Sequence, residues 1–230
     1  MIKIISFDFG GTLAREVREE YEVFHEILNE LDCPTEMNKV REALSRAWEW
    51  WLREKREKGR IWCEETLRKV VKLFLSYLRL PSKGNLIAKI VQLYPHKLEF
   101  EAYSDTEPTL RQLKEMKYKL IVISNASSKR NVEIYLKKLG LRQYFKEVIV
   151  SGSIGYEKPN PQIFLKAAEA MKVSPREILH IGNDFEADYL GAKSAGMKSI
   201  LIDRENKYED KQCARIMKLT ELIDLLRSKS

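Results

Sequence analysis

Phe7-Asp8-Phe9-Gly10-Gly11-Thr12-Leu13 follows the short apolar run Ile2–Phe7, and this stretch decides the fold. The run is short and β-branched and ends at a polar loop, so it predicts a buried strand. Asp8 then stands where the strand ends, and the two glycines allow a tight turn and a close approach to a ligand. The position two residues after Asp8, where a second carboxylate would serve acid–base chemistry, is Gly10.

The bulk composition is that of an ordinary folded chain. It has 230 residues, of which 44% are apolar, enough for one large domain or one domain with an insert. No apolar stretch approaches the roughly 18 residues of a membrane span, and no secretory signal is visible. We therefore expect a cytoplasmic protein without a membrane partner. The three cysteines are scattered without a C-x-x-C pair, which indicates reduced thiols and no disulfide framework.

The charge pattern argues against nucleic acid as a partner. Lys and Arg number 41 and Asp and Glu 34, which gives a net charge of +7. The two signs alternate nearly everywhere, as in Arg53-Glu54-Lys55-Arg56-Glu57-Lys58. Such alternation is typical of solvated helix faces with i,i+4 ion pairs, whereas phosphates need a continuous basic track. We expect no nucleic-acid partner.

Residues 15–100 are predicted to form an all-helical insert. Apolar residues recur there at helical spacing: Tyr21, Phe24, Ile27, Leu28 and Leu31, then Val40, Ala43, Leu44 and Ala47, then Leu67, Val70, Val71, Phe74, Leu75 and Leu78. Gly59, Pro81-Ser82 and Tyr94-Pro95 punctuate the region. We predict about four helices, and no strand from Ala14 to Phe100.

The remainder, residues 1–14 and 101–230, alternates strands with helices. After the first strand, the predicted strands are Leu120–Ile123, Val148–Val150, Ile178–Ile181 and Ser199–Ile202. The predicted helices are Leu110–Met116, Ser128–Leu139, Pro161–Met171, Glu186–Ala195 and Leu219–Leu226. This alternation predicts an α/β, Rossmann-like domain whose mostly parallel sheet has helices on both faces.

Polar residues follow four of these strands, at the sheet edge where parallel sheets bind ligands. Asp8 can act as a nucleophile or a metal ligand. A hydroxyl and backbone N–H groups at Ser124-Asn125 suit phosphate or carboxylate oxygens. The ammonium of Lys158, in the next loop, can offset carboxylate and phosphoryl charge.

The fourth loop, Gly182–Asp188, carries a set of oxygen ligands. Asp184 and Asp188 are four residues apart and face the same side of a first helical turn. With the amide of Asn183, their carboxylates suit Mg²⁺, which prefers oxygen ligands. Helix capping by Asn183 or Asp184 is the other interpretation, and capping and metal binding can coexist.

The four segments that follow these strands, in this order and with a helical insert after the first segment, resemble the haloacid dehalogenase superfamily of hydrolases. The resemblance covers essentially the whole chain and rests on Asp8–Leu13, Ser124-Asn125, Lys158-Pro159, Gly182–Asp188 and Gly191–Gly196. It implies that the helical insert is a mobile cap with hinges near Leu13–Arg15 and Glu99–Ser104. Closure of such a cap would exclude water and supply specificity.

The resemblance also implies the chemistry of the strand-end residues. Asp8 would be the nucleophile that forms a covalent aspartyl intermediate. Mg²⁺ would be held by Asp8, by the carbonyl of Gly10 and by Asn183 or Asp184, with Asp188 nearby as a further candidate ligand.

The same resemblance assigns the substrate contacts. Thr12 and Ser124 would contact phosphoryl oxygens, and Lys158 would hold the nucleophile and its charge. Asn125 and Arg15 are further candidate substrate-binding residues, chosen by their location.

Two positions depart from the family pattern. Family phosphatases carry a second Asp where this chain has Gly10, and that residue protonates the leaving alkoxide and later activates water. Gly10 keeps its carbonyl for Mg²⁺ but cannot transfer a proton, a contribution typically worth about 10²–10⁴-fold. Asn183 stands where an acid is commoner, and the adjacent Asp184 is the alternative metal ligand.

The predicted function is that of a Mg²⁺-dependent phosphatase for a small phosphorylated metabolite. A 2-haloacid dehalogenase is an alternative, because halide leaves without a proton; Arg15 or Arg18 would then grip the substrate carboxylate. A catalytically weak binding protein is the third possibility. Replacement acids could come from the first helix of the cap, in which lie Glu16, Glu20, Tyr21 and His25. A monomer and a homodimer both stay open.

Overall fold

The structure, a computed structural model, describes residues 1–82 and 84–228. The chain divides into two units: one joins Met1–Arg15 to the chain from Glu101 onward, and the other is Glu16–Phe100. Among the described residues, no helix is both long enough and apolar enough to cross a bilayer.

Six strands of the first unit build a parallel sheet. In chain order the strands are β1 (Ile4–Phe7), β2 (Ala14–Glu16), β3 (Phe100–Ala102), β4 (Lys119–Ser124), β5 (Phe145–Val150), β6 (Ile178–Gly182), β7 (Lys198–Ile202) and β8 (Arg215–Ile216). Six of them form one sheet in the order β5-β4-β1-β6-β7-β8, and each neighbouring pair is parallel. This confirms the predicted fold class.

β1 lies in the middle of the sheet and is wholly buried. Its last residue, Phe7, pairs with Val122 of β4 on one side and Ile181 of β6 on the other. Asp8 therefore leaves the sheet between the loops that follow β4 and β6.

Helices occupy most of the remaining chain. They are α1 (Glu20–Glu30), α2 (Met37–Lys58), α3 (Glu64–Tyr77), α4 (Asn85–Lys97), α5 (Thr106–Glu115), α6 (Lys129–Lys138), α7 (Ser151–Ile154), α8 (Pro161–Met171), α9 (Gly191–Ser194) and α10 (Glu221–Arg227). The single helix predicted for residues 186–195 instead begins as a π-helical turn, Phe185–Leu190, and continues as α9.

Both faces of the sheet are covered. Phe164 of α8 lies in one buried apolar cluster with Ile121 and Ile123 of β4. The alternate residues Leu120 and Val122 point to the opposite face and are equally buried. Each such side chain contributes about 1.5–3 kcal/mol through burial, so the sheet holds the loops at its edge on a rigid base.

The second unit contains α1–α4, in agreement with the helical periodicity of the sequence. Phe24 packs against Phe74 and Tyr94, with ring centroids 5.0 and 5.4 Å away. Trp48 and Trp51 both pack on Trp62, at 4.8 and 5.2 Å. Trp48, Trp51 and Trp62 therefore contribute to the core of this unit.

Two predictions for this region are wrong. Short strands begin at Ala14 and at Phe100, the two ends of a segment expected to contain none, and they form a separate two-stranded sheet. Three residues are too few to show alternating polarity. Pro95 lies inside α4 and does not end it. It sits in the last turn of the helix, where the loss of one N–H disturbs few later bonds.

Candidate active site

The glycines after Asp8 bring its loop against the loop that follows β6. Asp8 is 7% exposed, and its N–H donates to the carbonyl of Ile181 at 2.8 Å. Gly11 has a φ of +79°, and a Cβ at this position would lie 2.4 Å from Nδ2 of Asn183. Only glycine fits so close to the amide, so the two loops meet without an intervening side chain.

Lys158 is buried and its ammonium is fully hydrogen-bonded. Nζ donates to Oδ1 of Asp8 at 2.6 Å, to Oδ1 of Asp188 at 2.5 Å and to the carbonyl of Ile123 at 3.1 Å. An ammonium has three protons, and each has one acceptor here. The structure thus brings together three of the predicted site residues.

Asn125 fixes the loop that carries Lys158. Its Oδ1 accepts from the backbone N–H of Lys158 at 2.8 Å, and its Nδ2 donates to the carbonyl of the same residue at 3.0 Å. The side-chain amide therefore makes the two backbone hydrogen bonds that a neighbouring strand would make. The predicted contact of Asn125 with substrate stays a prediction.

Asp188 is 2% exposed and uses both of its oxygens. Oδ1 accepts from Lys158 and from Nε2 of His180, the latter at 3.3 Å, and Oδ2 accepts from the N–H of Asp184 at 3.0 Å. A Cβ at Gly182 would lie 2.2 Å from Cγ of Asp188, which explains the glycine at this position. These contacts give Asp188 a role in holding Lys158.

Burial and charge shift the ionisation of all three side chains. Burial raises the pKa of Asp8 to about 6; the Lys158 charge opposes this shift and that of Asp188 adds to it. Burial also acts against the charged forms of Asp188 and Lys158, but their mutual attraction lowers the pKa of Asp188 and raises that of Lys158. At neutral pH the trio carries one net negative charge, which favours a nearby cation.

The oxygens at this edge suit a hard divalent cation. They are the carboxylate of Asp8, the carbonyl of the exposed Gly10, the amide of Asn183 and the carboxylate of the exposed Asp184. In the part of the chain that is described, no three His, Cys, Asp or Glu side chains form a metal cluster. A metal here would therefore need the carbonyl and the amide as well as carboxylates, a mixture that Mg²⁺ accepts.

Three further predicted residues have definite surroundings. Thr12 is fully buried and its hydroxyl donates to Oδ1 of Asn183 at 3.2 Å. Ser124 is 5% exposed at the carboxyl end of β4. Arg15 is exposed and donates through Nε and Nη2 to Oε2 of Glu101, at 3.1 and 2.7 Å. These bonds are separate from those that join Asp8 to Lys158.

Sequence reasoning missed two residues of the buried network, Ser6 and His180. Oγ of Ser6 lies 2.9 Å from Nδ1 of His180, and both side chains are fully buried. Each is a polar residue within an otherwise apolar central strand, and this signal could have identified them.

The comparisons with known proteins agree with this geometry. The family model for haloacid dehalogenase-like hydrolases matches residues 2–196, and this chain belongs to that family of enzymes. It is 38% identical to a glyceraldehyde 3-phosphate phosphatase of Methanopyrus kandleri over 141 residues. These residues make up 60% of this chain and 59% of the relative. It is 37% identical over 103 residues to haloacid dehalogenase-like hydrolase domain-containing protein 3 of Bos taurus, covering 45% and 40%. The chain thus spans about half the length of these relatives.

Solved structures share the fold over the whole chain. A HAD phosphatase from Thermococcus onnurineus is 28% identical, with a TM-score of 0.67 over 98% of both chains. A 2-haloacid dehalogenase from Pseudomonas syringae pv. Tomato DC3000 is 24% identical, with a TM-score of 0.78 over all of both chains, and this likeness concerns the fold alone.

Proposed function

We propose that this chain is a Mg²⁺-dependent phosphatase that acts on a small phosphorylated metabolite through an aspartyl intermediate on Asp8. The observation that carries the proposal is the buried ammonium of Lys158, 2.6 Å from Asp8 and 2.5 Å from Asp188. The names of the Methanopyrus kandleri relative and of the Thermococcus onnurineus structure support it. Glyceraldehyde 3-phosphate is accordingly the first substrate to test.

In the proposed reaction, a carboxylate oxygen of Asp8 attacks phosphorus. The bond from phosphorus to the leaving oxygen breaks, and the electron pair stays on that oxygen. Water then attacks phosphorus and loses a proton to solvent, the bond to Asp8 breaks with its electron pair returning to the carboxylate, and phosphate leaves. Lys158 favours the ionised form of Asp8 before the attack and holds its side chain in one orientation, because the ammonium is itself held by three acceptors.

The leaving oxygen needs a proton that Gly10 cannot supply. We therefore propose that the enzyme prefers good leaving groups. Glu20, one of the acids predicted in the helical unit, has a pKa that burial raises to about 7. Its carboxylate accepts from the hydroxyl of Tyr94 at 2.5 Å within that unit.

Mg²⁺ would be held by Asp8, the Gly10 carbonyl and the oxygens of Asn183 and Asp184, with Asp188 acting behind Lys158. When bound it would shield the phosphoryl oxygens from the carboxylates. A thermal-shift titration with Mg²⁺ tests this set, because a ligand that binds the folded state raises Tm. We expect a concentration-dependent rise in the wild type and a much smaller one in Asp8→Asn. An equal rise in both would contradict the assignment.

The activity test is a leaving-group series of aryl and alkyl phosphates with Mg²⁺, together with glyceraldehyde 3-phosphate. We expect hydrolysis that Asp8→Asn abolishes and that slows as the pKa of the leaving group rises. A flat dependence on leaving-group pKa would show that proton donation does not limit the enzyme.

The absence of an acid at Gly10 favours a second function, because a dehalogenase needs no acid at this position. Release of halide from 2-chloropropionate without added metal would support that activity, and release no faster than background would end it. If the wild type shows neither activity, the third function, that of a binding protein, is left. An Mg²⁺-dependent beryllofluoride complex that is absent in Asp8→Asn would in turn argue against that third case.

A further inference from the structure

A continuous line of buried polar contacts crosses the two central strands of the sheet. Ser6 of β1 pairs in register with His180 of β6, and Oγ of Ser6 lies 2.9 Å from Nδ1 of the imidazole. Nε2 of the same ring lies 3.3 Å from Oδ1 of Asp188, which accepts from Lys158. The line therefore runs from inside the sheet to the nucleophile.

The chemistry of the partners fixes the direction of each hydrogen bond. The carboxylate of Asp188 can only accept, so Nε2 of His180 carries the proton in this contact. Burial lowers the pKa of His180, and the neutral ring then has a lone pair on Nδ1. Ser6 can donate to that lone pair and so favours this tautomer. The edge of the ring also packs against Phe164, with centroids 5.1 Å apart.

Asp188 depends on this contact for its orientation. Of its two oxygens, Oδ2 is held by the N–H of Asp184, whereas Oδ1 is shared by His180 and Lys158. Without the imidazole, Oδ1 would be held by Lys158 alone. The carboxylate and the ammonium could then shift together, and the ammonium would lose its alignment with Asp8.

We propose that His180 is a positioning residue that holds Asp188, and through it Lys158, in line with Asp8, and that Ser6 supports it by fixing its tautomer. The kinetic consequences of this proposal rest on the proposed function, whereas its structural consequences rest on the hydrogen bonds of His180. The competing explanation is that His180 only fills space beside Phe164.

Two amide variants separate these explanations. The amide of His180→Gln can reach the place of Nε2 and keep a donor toward Asp188. The amide of His180→Asn reaches only the place of Nδ1, near Ser6, and leaves Asp188 without that donor. His180→Leu removes both contacts and retains an apolar side chain for packing.

The first measurement needs no substrate. The ammonium of Lys158, buried and fully hydrogen-bonded, should exchange slowly enough to give a ¹H–¹⁵N signal, identified by its absence in Lys158→Met. We expect the signal to persist in His180→Gln and to broaden or vanish in His180→Asn and His180→Leu. An unchanged signal in all three variants would overturn the proposal.

The second measurement is kinetic, under the Mg²⁺-dependent phosphatase assay. We expect kcat to fall about 10- to 100-fold in His180→Asn and His180→Leu, the range typical of residues that orient catalytic ligands. KM should change less than about twofold, and His180→Gln should retain kcat within about threefold. Equal kcat in the Gln and Asn variants would overturn the proposal.

Ser6→Ala provides the test if a His180 variant fails to fold. It should admit the Nδ1-protonated tautomer in the ¹⁵N spectrum and weaken the ammonium signal, because Nε2 of that tautomer has no proton for Asp188, whereas the wild type shows the Nε2-protonated form. A wild-type tautomer in Ser6→Ala would refute the role of Ser6. Absence of phosphatase activity together with the expected ammonium pattern would refute the proposed function and leave the positioning role intact.

Discussion

The ammonium of Lys158 lies 2.6 Å from Oδ1 of Asp8, although 150 positions separate the two residues in the chain. A second carboxylate, that of Asp188, lies 2.5 Å from the same nitrogen. All three side chains are at least nine-tenths buried. This arrangement makes the ion pair a part of the fold as well as of the candidate site.

Lys158→Met should destabilise the metal-free protein strongly, because it leaves two buried carboxylates without their cation. We expect the free energy of unfolding at pH 8 to fall by about 3–5 kcal/mol, measured by urea denaturation. Lys166→Met is the control: its ion pair with Glu169, at 2.8 Å, is exposed and should contribute little to stability. Similar losses in the two variants would contradict this account.

Gly10→Asp should increase the hydrolysis of alkyl phosphates by about 10²–10⁴-fold, since it supplies an acid at the position where family phosphatases carry one. A Cβ at Gly10 meets no atom within 4 Å, so the variant should fold normally. The control is Gly11→Ala, which should lose activity and lower Tm because its Cβ would lie 2.4 Å from Asn183 at a φ of +79°. If Gly10→Asp folds but hydrolyses alkyl phosphates no faster than the wild type, another group donates the proton.

Glu20→Gln should stabilise the protein at high pH and have little effect at low pH. Burial raises the pKa of Glu20 from 4.5 to about 7, so the folded state binds its proton more tightly than the unfolded state does. The stabilising effect of that proton is complete below about pH 4.5 and is lost as the pH rises through 7. We expect Glu20→Gln to gain roughly 1–3 kcal/mol at pH 8 relative to the wild type, and nothing at pH 4. A gain independent of pH would refute the shifted ionisation.

Arg204→Lys should loosen the loop that follows β1. Nη1 and Nη2 of Arg204 each donate to Asp105 at 3.0 Å, and Nη2 also donates to the carbonyl of Thr12 at 2.9 Å. A lysine cannot make the paired contact, so we expect a loss of about 1–3 kcal/mol of unfolding free energy. Arg68→Lys, in an exposed i,i+4 pair with Glu64, should change little. Equal effects of the two substitutions would show that the paired contact is unimportant.

The sequence was sufficient to predict five of the six strands of the sheet, all but β8, and the convergence of its loops. Parallel strands bring their carboxyl ends to one edge, so polar residues that follow strands far apart in the chain were expected to meet there. Asp8, Lys158 and Asp188 do meet, in direct hydrogen bonds. This success depended on the positions and the parallel direction of the strands, which short β-branched runs that alternate with helices indicate well.

The contacts within the site could not be predicted from the sequence. Nothing in the spacing shows that Asn125 would bind the backbone of Lys158, because such a contact depends on how one loop folds over another. The pairing of Ser6 with His180 depends on the register of β1 and β6, which a periodic pattern does not specify. Asp188 was predicted as a metal ligand, and its contact with His180 depends on the turn that follows β6, which the sequence pattern did not specify either.

The empty space beside Gly10 also has an evolutionary meaning. Two of the glycine codons differ from an aspartate codon by one base, and the backbone at this position needs no adjustment to carry a side chain. This chain and one with paired aspartates therefore lie a single mutational step apart, with no steric barrier between them. A single base substitution could convert either sequence into the other while the rest of the loop stayed unchanged.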